Sequence, residues 1–350
     1  MRPHTDSQIA SIPMQLVGPV EIISEEVTGR VSVPLATFES PLWPSTHRGA
    51  LLSQTAGGIR AVIVDDRMTR SILVETNTAT DTYRIYLAIQ QQKTAMQQIV
   101  GKSSRFAKLI DMHAQLVGSM LYLRFEFLTG DASGHNMATI ASDNLLQWLL
   151  QQYPALRYVT ISGNFCTDKK VSAVNGILGR GKNVIAEITV SRAHCTRFLR
   201  TTPEKIIELN IKKNLVGSIV AGGTRSANAH YANILLGFYL ATGQDAANLI
   251  EGSQGITFAE LREDALYFSV TLPNVIVGTV GNGKTFDFVK RNLSLMGCDA
   301  EAMPGYNARR LAIIATAAVL CGEISLLAAQ TNVGELTRSH VVLERKRNEA

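Results

Sequence analysis

The chain has 350 residues, of which 46% are hydrophobic and 18% charged, and its formal net charge is +5 at pH 7. That length holds one large domain or two ordinary ones, and the composition is globular. The basic excess is small, its one dense cluster is Arg345-Lys346-Arg347, and no RNA-recognition or zinc-finger spacing occurs, so a phosphorylated small molecule, or no anionic partner at all, is favoured over nucleic acid. Cys166, Cys195, Cys298 and Cys321 are far apart and form no C-x-x-C, which predicts reduced thiols in a cytoplasmic protein. The N-terminal MRPHTDSQIASIP has no apolar run, so no signal peptide is expected. The longest apolar run, Leu311 to Gly322, stops at Glu323, too short to span a bilayer, and predicts a buried helix with no membrane contact.

In chain order, Pro34, Pro41 and Pro44 predict an irregular, rigid segment around Glu39, where a lone Glu is more often exposed than catalytic. Ser71 to Val74 reads as a short strand and Thr78 to Val100 has helical spacing. Phe106 to Ile110 and the alternating MLYLRFEFL (Met120 to Leu128) read as strands, Asn136 to Tyr153 as a helix and Leu156 to Ile161 as a last strand. The order β-α-β-β-α-β is that of a ferredoxin-like split unit. Helices are predicted at Ser226 to Ile250, Phe286 to Met296 and Ala308 to Gln330, with strands such as Leu266 to Thr271 between them. The expected fold is α+β: a large discontinuous α/β domain (1–71 and 162–350) with a small ferredoxin-like domain (72–161) inserted in it.

The most informative stretch is SGNFCTDKKVSAVNGILGRGK, Ser162 to Lys182. A strand end carrying Asp168, Lys169 and Lys170 can stabilise a developing oxyanion and grip an acidic substrate. Taken locally, the same string is more often a solvated basic turn. GTVGNGKT, Gly278 to Thr285, satisfies G-x-x-x-x-G-K-[ST], and AVIVDD (Ala61 to Asp66) offers an acidic strand to go with it. Pro273 interrupts the preceding strand and no run of βα units follows, so the P-loop competes with a glycine turn that approaches a pyrophosphate without magnesium. GDASGHNM, Gly130 to Met137, opens a helix and suits either a phosphate or an N-cap from Asp131 or Ser133. No G-x-G-x-x-G follows a first strand, so a Rossmann domain is not supported. In NAHYANILLGFYLATGQDAAN, Asn233 and Asp245 would lie about a third of a turn apart on a continuous helix, and Gly243-Gln244-Asp245 reads locally as a helix-terminal cap. His340, alone in TRSHVVLERKR, is more often a surface histidine. The histidines show no H-E-x-x-H or paired spacing, so no metal site is expected.

Together, VPLATFE, DRMTR, SSRFAKL, TGDASGHNM, SGNFCTDKK, GRGK, NIKKNLVGS, NAHYAN, GQDAAN, VGTVGNG and the late SH occur in the order of, and resemble, the hydroxymethylglutaryl-coenzyme A (HMG-CoA) reductase family over roughly Val17 to Arg345. The resemblance implies four-electron reduction of HMG-CoA to mevalonate and CoA by two NADPH, with NADP(H) bound by the inserted domain. It implies catalytic roles for Glu39 as proton donor, Lys169 as oxyanion stabiliser, Asp245 as the group joining Glu39 and Lys169 in one network, and His340 as the acid for the CoA thiolate. It implies substrate contacts at Arg70, Ser162, Asp168, Lys170, Lys213 and Asn233 for the acyl group, and at Ser45, Arg48 and His230 for CoA. Cofactor contacts are implied at Ser104 and Arg105 for the 2′-phosphate, and at Asp131, Ser133, Gly134, His135, Asn136, Met137, Gly278, Thr279, Val280 and Gly281.

The resemblance further implies a homodimer or higher homo-oligomer with shared sites, the SGNFCTDKK loop of one subunit completing the Glu39 and Asp245 site of its neighbour. Lacking an anchor segment, the chain is expected to be a soluble, cytoplasmic form. Asn282, Lys284 and the polar Gln330, Thr331 and Asn332 depart from the family pattern. Three other readings compete: a P-loop phosphotransferase, a reductase-fold enzyme for another acyl-CoA, and a catalytically silent CoA-binding protein.

Overall fold

A computed structural model describes residues 9–341, apart from the side chains of Ser339 and His340. The chain opens with a hairpin, β1 (Met14–Ile23) and β2 (Thr28–Ala36), then α1 (Leu42–Thr55) and the long strand β3 (Ile59–Glu75). Next come α2 (Ala79–Gln90), α3 (Lys93–Ser103), β4 (Lys108–Val117), β5 (Met120–Leu128), α4 (His135–Gln152) and β6 (Arg157–Thr160). Then follow α5 (Ala173–Leu178), β7 (Gly181–Ser191), the short α6 (Arg192–His194), α7 (Pro203–Leu209), α8 (Ser218–Val220), β8 (Ser226–Ala227), α9 (Tyr231–Ala241) and α10 (Leu249–Gly252). The chain closes with β9 (Gly255–Arg262), β10 (Ala265–Val275), α11 (Asp287–Leu295), α12 (Tyr306–Gln330) and α13 (Glu335–His340).

β3 ties two sheets together. Its first half, Arg60 to Arg67, pairs with β7 in the order β2-β1-β3-β7-β10-β9-β8. Its second half, Met68 to Glu75, pairs antiparallel with β5, and the order there is β6-β3-β5-β4. Each sheet has its own apolar core. The larger gathers around α12 and β10, including Leu311, Val319, Phe268 and Phe238. The smaller holds Met68, Ile72, Val74, Ile89, Met96, Phe125, Phe127 and Leu145. The mixed α+β class is as expected, but the short strand at Ser71 to Val74 is only the end of a 17-residue strand that includes AVIVDD.

Other boundaries move for identifiable reasons. The helix expected over Thr78 to Val100 breaks at Gln91-Gln92, so that α2 buries Ile89 and α3 buries Met96 and Val100 in the same core. The strand expected at Phe106 to Ile110 starts at Lys108, because the Ser104 hydroxyl accepts from the N–H groups of Phe106 and Ala107 and holds a turn there. The helix expected over Ser226 to Ile250 is only Tyr231–Ala241. Ser226 and Ala227 pair with β9, and Gly243 at φ +62° ends the helix in the left-handed conformation that glycine adopts without cost. Pro273 lies within β10, beyond its last β9 partner and inside the register shift against β7, so it removes no ladder bond.

The apolar run at Leu311 to Gly322 is the centre of α12, and nearly all of that helix is buried. α1 and α12 touch backbone to backbone: a Cβ on Gly49 would lie 2.1 Å from the Cys321 carbonyl oxygen. Glu323, fully buried, accepts from the N–H of Ala229 (2.7 Å) and His230 (3.1 Å) and from the Thr257 hydroxyl (2.9 Å). Those donors satisfy a charge that would otherwise be costly to bury, and they fix the start of α9.

Candidate active site

The loop after β6 is built around unusual backbone. Asn164, Thr167 and Lys169 have φ values of +61°, +44° and +54°, which non-glycine residues hold only when their surroundings enforce them. The Lys169 N–H donates to Glu251 Oε1 at 3.1 Å, and the buried Arg180 guanidinium donates to the same oxygen at 3.1 Å. Arg180 also donates to the Thr69 carbonyl (2.7 Å) and to Asp168. Burial pushes the Glu251 carboxyl up, against the pull of Arg180. Burial also works to raise Asp168, but Arg180, then His135 and Arg70, outweigh it and hold that carboxyl below its ordinary value.

Lys169 Nζ lies 2.7 Å from Asp245 Oδ2 within the one chain. The hydrogen bond to Asp245 raises the lysine; burial opposes, and the lysine outweighs, so the Asp245 carboxyl falls below its ordinary value. Asp245 Oδ1 also accepts from the Ala247 N–H at 3.0 Å, so the residue serves both as the expected cap and as the lysine's partner. Arg70 donates to Thr139 Oγ1 (2.6 and 3.0 Å) and Ser162 Oγ (3.3 Å), with Asp168 at 3.9 Å. Lys170 Nζ, exposed, donates to the Asp168 carbonyl at 3.0 Å.

The two small-residue loops meet beside this cluster. Thr279 N–H donates to the Asp131 carbonyl at 2.8 Å, and Ala132 bridges to Val280. A Cβ on Gly278 would lie 2.4 Å from the Ser133 nitrogen, so only glycine permits the contact. The Gln244 amide donates to the Gly278 carbonyl (3.0 Å) and accepts from its N–H (2.9 Å), tying this loop to the turn that carries Asp245. The P-loop reading fails on geometry: α11 starts at Asp287, beyond Thr285, and Lys284 Nζ turns back to donate to the Gly243 carbonyl. Burial pushes the Lys284 amine down to about 8.

Gly134, at φ +91°, caps α4 with no side-chain hydrogen bond, so neither Asp131 nor Ser133 takes the expected N-cap role. The Asp131 carboxylate instead accepts from the Gly305 (2.9 Å) and Ala308 (3.0 Å) N–H groups and caps α12. Asn136 is exposed in the first turn of α4, Met137 packs toward the smaller core, and Gly281 is exposed with open space around it. Arg105 lies over the Phe106 ring at 5.4 Å, and that ring would be 3.7 Å from a Cβ on Gly130. An N-terminus without a side-chain cap on an 18-residue helix, beside a backbone contact at Gly278 that leaves no room for a Cβ, is the feature a dinucleotide phosphate would satisfy.

Glu39 sits elsewhere, in a cleft of about 950 Å³. Its Oε2 accepts from Asn233 Nδ2 at 2.9 Å, and no hydrogen bond or ion pair among the described residues joins it to Lys169 or Asp245. The network expected to unite all three does not form within one chain. Ser45, Arg48, Arg197, Arg200, His230 and Arg338 line the same cleft. Arg48 donates to Glu335 (2.9 Å) and to Ser325 Oγ (3.0 Å), holding α13 at the cleft edge. Lys213 donates to Asn214 Oδ1 at 3.1 Å; burial pushes its amine down, with Glu323 pulling the other way. His340 closes α13, and its side chain lies outside the described residues.

The sequence model for hydroxymethylglutaryl-coenzyme A reductase matches residues 8–345. The chain belongs to the HMG-CoA reductase family. It is 44% identical over 340 residues to the 3-hydroxy-3-methylglutaryl-coenzyme A reductase of Pyrococcus abyssi, covering 96% of this chain and 83% of that protein. It is 39% identical over 352 residues to the Methanocaldococcus jannaschii reductase, covering 99% and 85%. The fold is that of the class II reductase of Streptococcus pneumoniae bound to NADPH in open conformations: TM-score 0.75 at 18% identity, over 93% of this chain and 86% of that one.

For a family member, several residues missed by sequence reasoning are informative. Arg180 lies between Gly179 (φ +87°) and Gly181 (φ +83°), and the G-R-G string was the signal that a buried arginine sits at a backbone kink. Glu251, Gln244 and Glu323 carried no such signal, since nothing local marks a polar residue as buried. One further cluster, Asp111, His113 and Glu126, places ligand atoms within 4.8 Å of one another. Glu126 already pairs with Arg67 and Arg124, and Lys93 lies 3.8 Å from Asp111, so three cations oppose a metal ion there.

Proposed function

We infer that the chain is an NADPH-dependent oxidoreductase that reduces HMG-CoA to mevalonate and CoA. The observation that carries the chemistry is the Lys169–Asp245 pair, 2.7 Å apart, beside the loops proposed for the cofactor. NADPH supplies hydride twice. At the first transfer the thioester carbonyl becomes an oxyanion, and the ammonium of Lys169, kept protonated by Asp245, stabilises it. Glu39 supplies the proton, giving a hemithioacetal; its collapse frees CoA, whose thiolate takes a proton from His340. The second transfer converts the aldehyde to the alcohol with the same lysine. Arg70, Ser162, Asp168, Lys170, Lys213 and Asn233 bind the acyl group. The arginines and His230 of the Glu39 cleft suit the phosphates of CoA.

The assembly we propose is a homodimer in which the Lys169–Asp245 cluster of one subunit faces the Glu39 cleft of the other. The absence of any bond between Glu39 and that pair supports this, as do the exposed Val171, Ile177, Ile219 and Val220. It redraws the expected division of the site, because Asp245 goes with Lys169 rather than with Glu39. We also assign residues 72–161 as the inserted ferredoxin-like, NADP(H)-binding domain; the strand order β6-β3-β5-β4 and the separate small core support it. Ser104 and Arg105 take the 2′-phosphate. The four cysteines, all free and buried, fit a cytoplasmic protein.

The test is NADPH oxidation dependent on HMG-CoA, with Lys169→Ala as control. Mevalonate must form with two NADPH consumed per HMG-CoA, and the control must be at least about a hundredfold slower. Turnover of other acyl-CoAs but not HMG-CoA would refute the substrate assignment.

A further inference from the structure

His135 is the first residue of α4, and its side chain reaches the lysine cluster: Nε2 lies 3.7 Å from Asp168 Oδ1. That nitrogen is buried and has no hydrogen-bond partner. With a carboxylate oxygen 3.7 Å away, the tautomer with its proton on Nε2 is favoured, since a lone pair there would face another. Thr139 Oγ1 donates to the His135 carbonyl at 2.9 Å and accepts from Arg70, so the residue is anchored in the acyl-binding cluster by its backbone as well.

Taking the reductase assignment as its basis, we propose that His135 is a second, uncharged hydrogen-bond donor to the substrate oxygen that Lys169 stabilises. The charged groups that act on it are Arg180 immediately before β7, Asp168 and Lys169 on the loop after β6, and Asp245 before α10, with Arg70 on β3 close by. Burial and then Arg180 push its imidazole down to about 4, and the N-terminal end of α4 acts in the same direction. A ring shifted in that direction is neutral near pH 7. A neutral donor adds a hydrogen bond at the developing negative charge without a second cation that would compete with Lys169 for Asp245. The carboxamide of a bound nicotinamide would be the alternative acceptor, and the experiment separates the two.

Three measurements on the full chain test this. Histidine-selective NMR of the free enzyme, with His135 assigned through His135→Gln, should show a neutral, Nε2-protonated ring from pH 8 down to about 5. His135→Phe should lower kcat for both HMG-CoA and mevaldehyde by about a hundredfold, the usual effect of removing one oxyanion donor, while the NADPH Kd from fluorescence quenching changes less than about twofold. His135→Gln, which keeps a neutral donor, should restore most of that loss and rule out a fold defect in the phenylalanine variant. A ring titrating near 6.5 overturns the neutrality claim. Unchanged kcat in His135→Phe overturns the donor role, and a Kd that weakens in step with kcat reassigns the contact to the cofactor. Wild-type enzyme that binds NADPH but does not reduce HMG-CoA overturns the reductase reading itself, whatever the ring's titration shows.

Discussion

The division of the catalytic groups makes a sharp prediction about complementation. Lys169 and Asp245 are bonded within one chain, whereas Glu39 bonds to Asn233 in a separate cleft. If a working centre joins one subunit's lysine cluster to the other's Glu39 cleft, lesions must be counted by cluster. In a Lys169→Ala/Glu39→Gln heterodimer, one centre receives both lesions and the other receives none, so about half of the wild-type rate per dimer returns for a two-fold symmetric assembly. In a Lys169→Ala/Asp245→Ala heterodimer each centre keeps one lesion, and the rate stays at that of the parents, roughly a hundredfold or more below wild type. Differently tagged chains, co-expressed and purified through both tags, give the heterodimers for a steady-state NADPH-oxidation assay. An inactive Lys169→Ala/Glu39→Gln heterodimer would refute the reasoning, as would recovery with Lys169→Ala/Asp245→Ala.

Other expectations address the cofactor and pH. Arg105→Ala removes one charge-assisted contact and should raise the NADPH KM by about 10- to 100-fold while leaving NADH kinetics unchanged; equal losses with both cofactors would show that Arg105 does not read the 2′-phosphate. Gly278→Ala puts a Cβ 2.4 Å from the Ser133 nitrogen, a backbone atom that cannot swing away. It should lower stability by about 1–3 kcal/mol in urea melts and weaken NADPH binding at least tenfold. His135 should shape the acid limb of stability: the unfolded imidazole takes a proton below about 6.5, the folded one only near 4, so the unfolded state binds the extra proton in that window and stability falls as pH falls through it. The loss is at most about 3 kcal/mol, and His135→Gln should flatten that part of the curve; an unchanged curve would contradict the buried-neutral assignment.

Much of this protein is legible in its sequence, because certain strings carry their own physics. The alternation of MLYLRFEFL fixes β5, and the all-round apolar Leu311 to Gly322 announces a buried helix. Family strings locate Lys169 and Asp245, which the structure brings to 2.7 Å across 76 residues of chain. What failed were inferences that needed tertiary context. Thr78 to Val100 has one helical period throughout, and only packing against the sheet decides the turn at Gln91-Gln92. Asp131 looks like a cap for the helix that follows it, yet it caps α12, far along the chain. A carboxylate's appetite for N–H groups is local chemistry, but which helix end it meets is set by the fold.

The ionic network under the lysine loop follows the same logic. Burying ions such as Arg180 and Glu251 carries a desolvation penalty that pairing rarely recovers in full, so the network is a poor source of stability. Their arrangement makes sense as a means of holding a conformation the chain resists. Lys169 sits at φ +54°, and its N–H is held by Glu251; Glu251 is held by Arg180, which also grips Asp168 and the Thr69 carbonyl on β3. The network thus joins β3, the start of the β7 strand segment and α10 to Lys169, whose amine meets Asp245 and, in the proposed mechanism, a substrate oxygen. A hydrophobic core could bury the same volume, but it could not orient a backbone N–H, and that orientation sets where the Lys169 side chain begins.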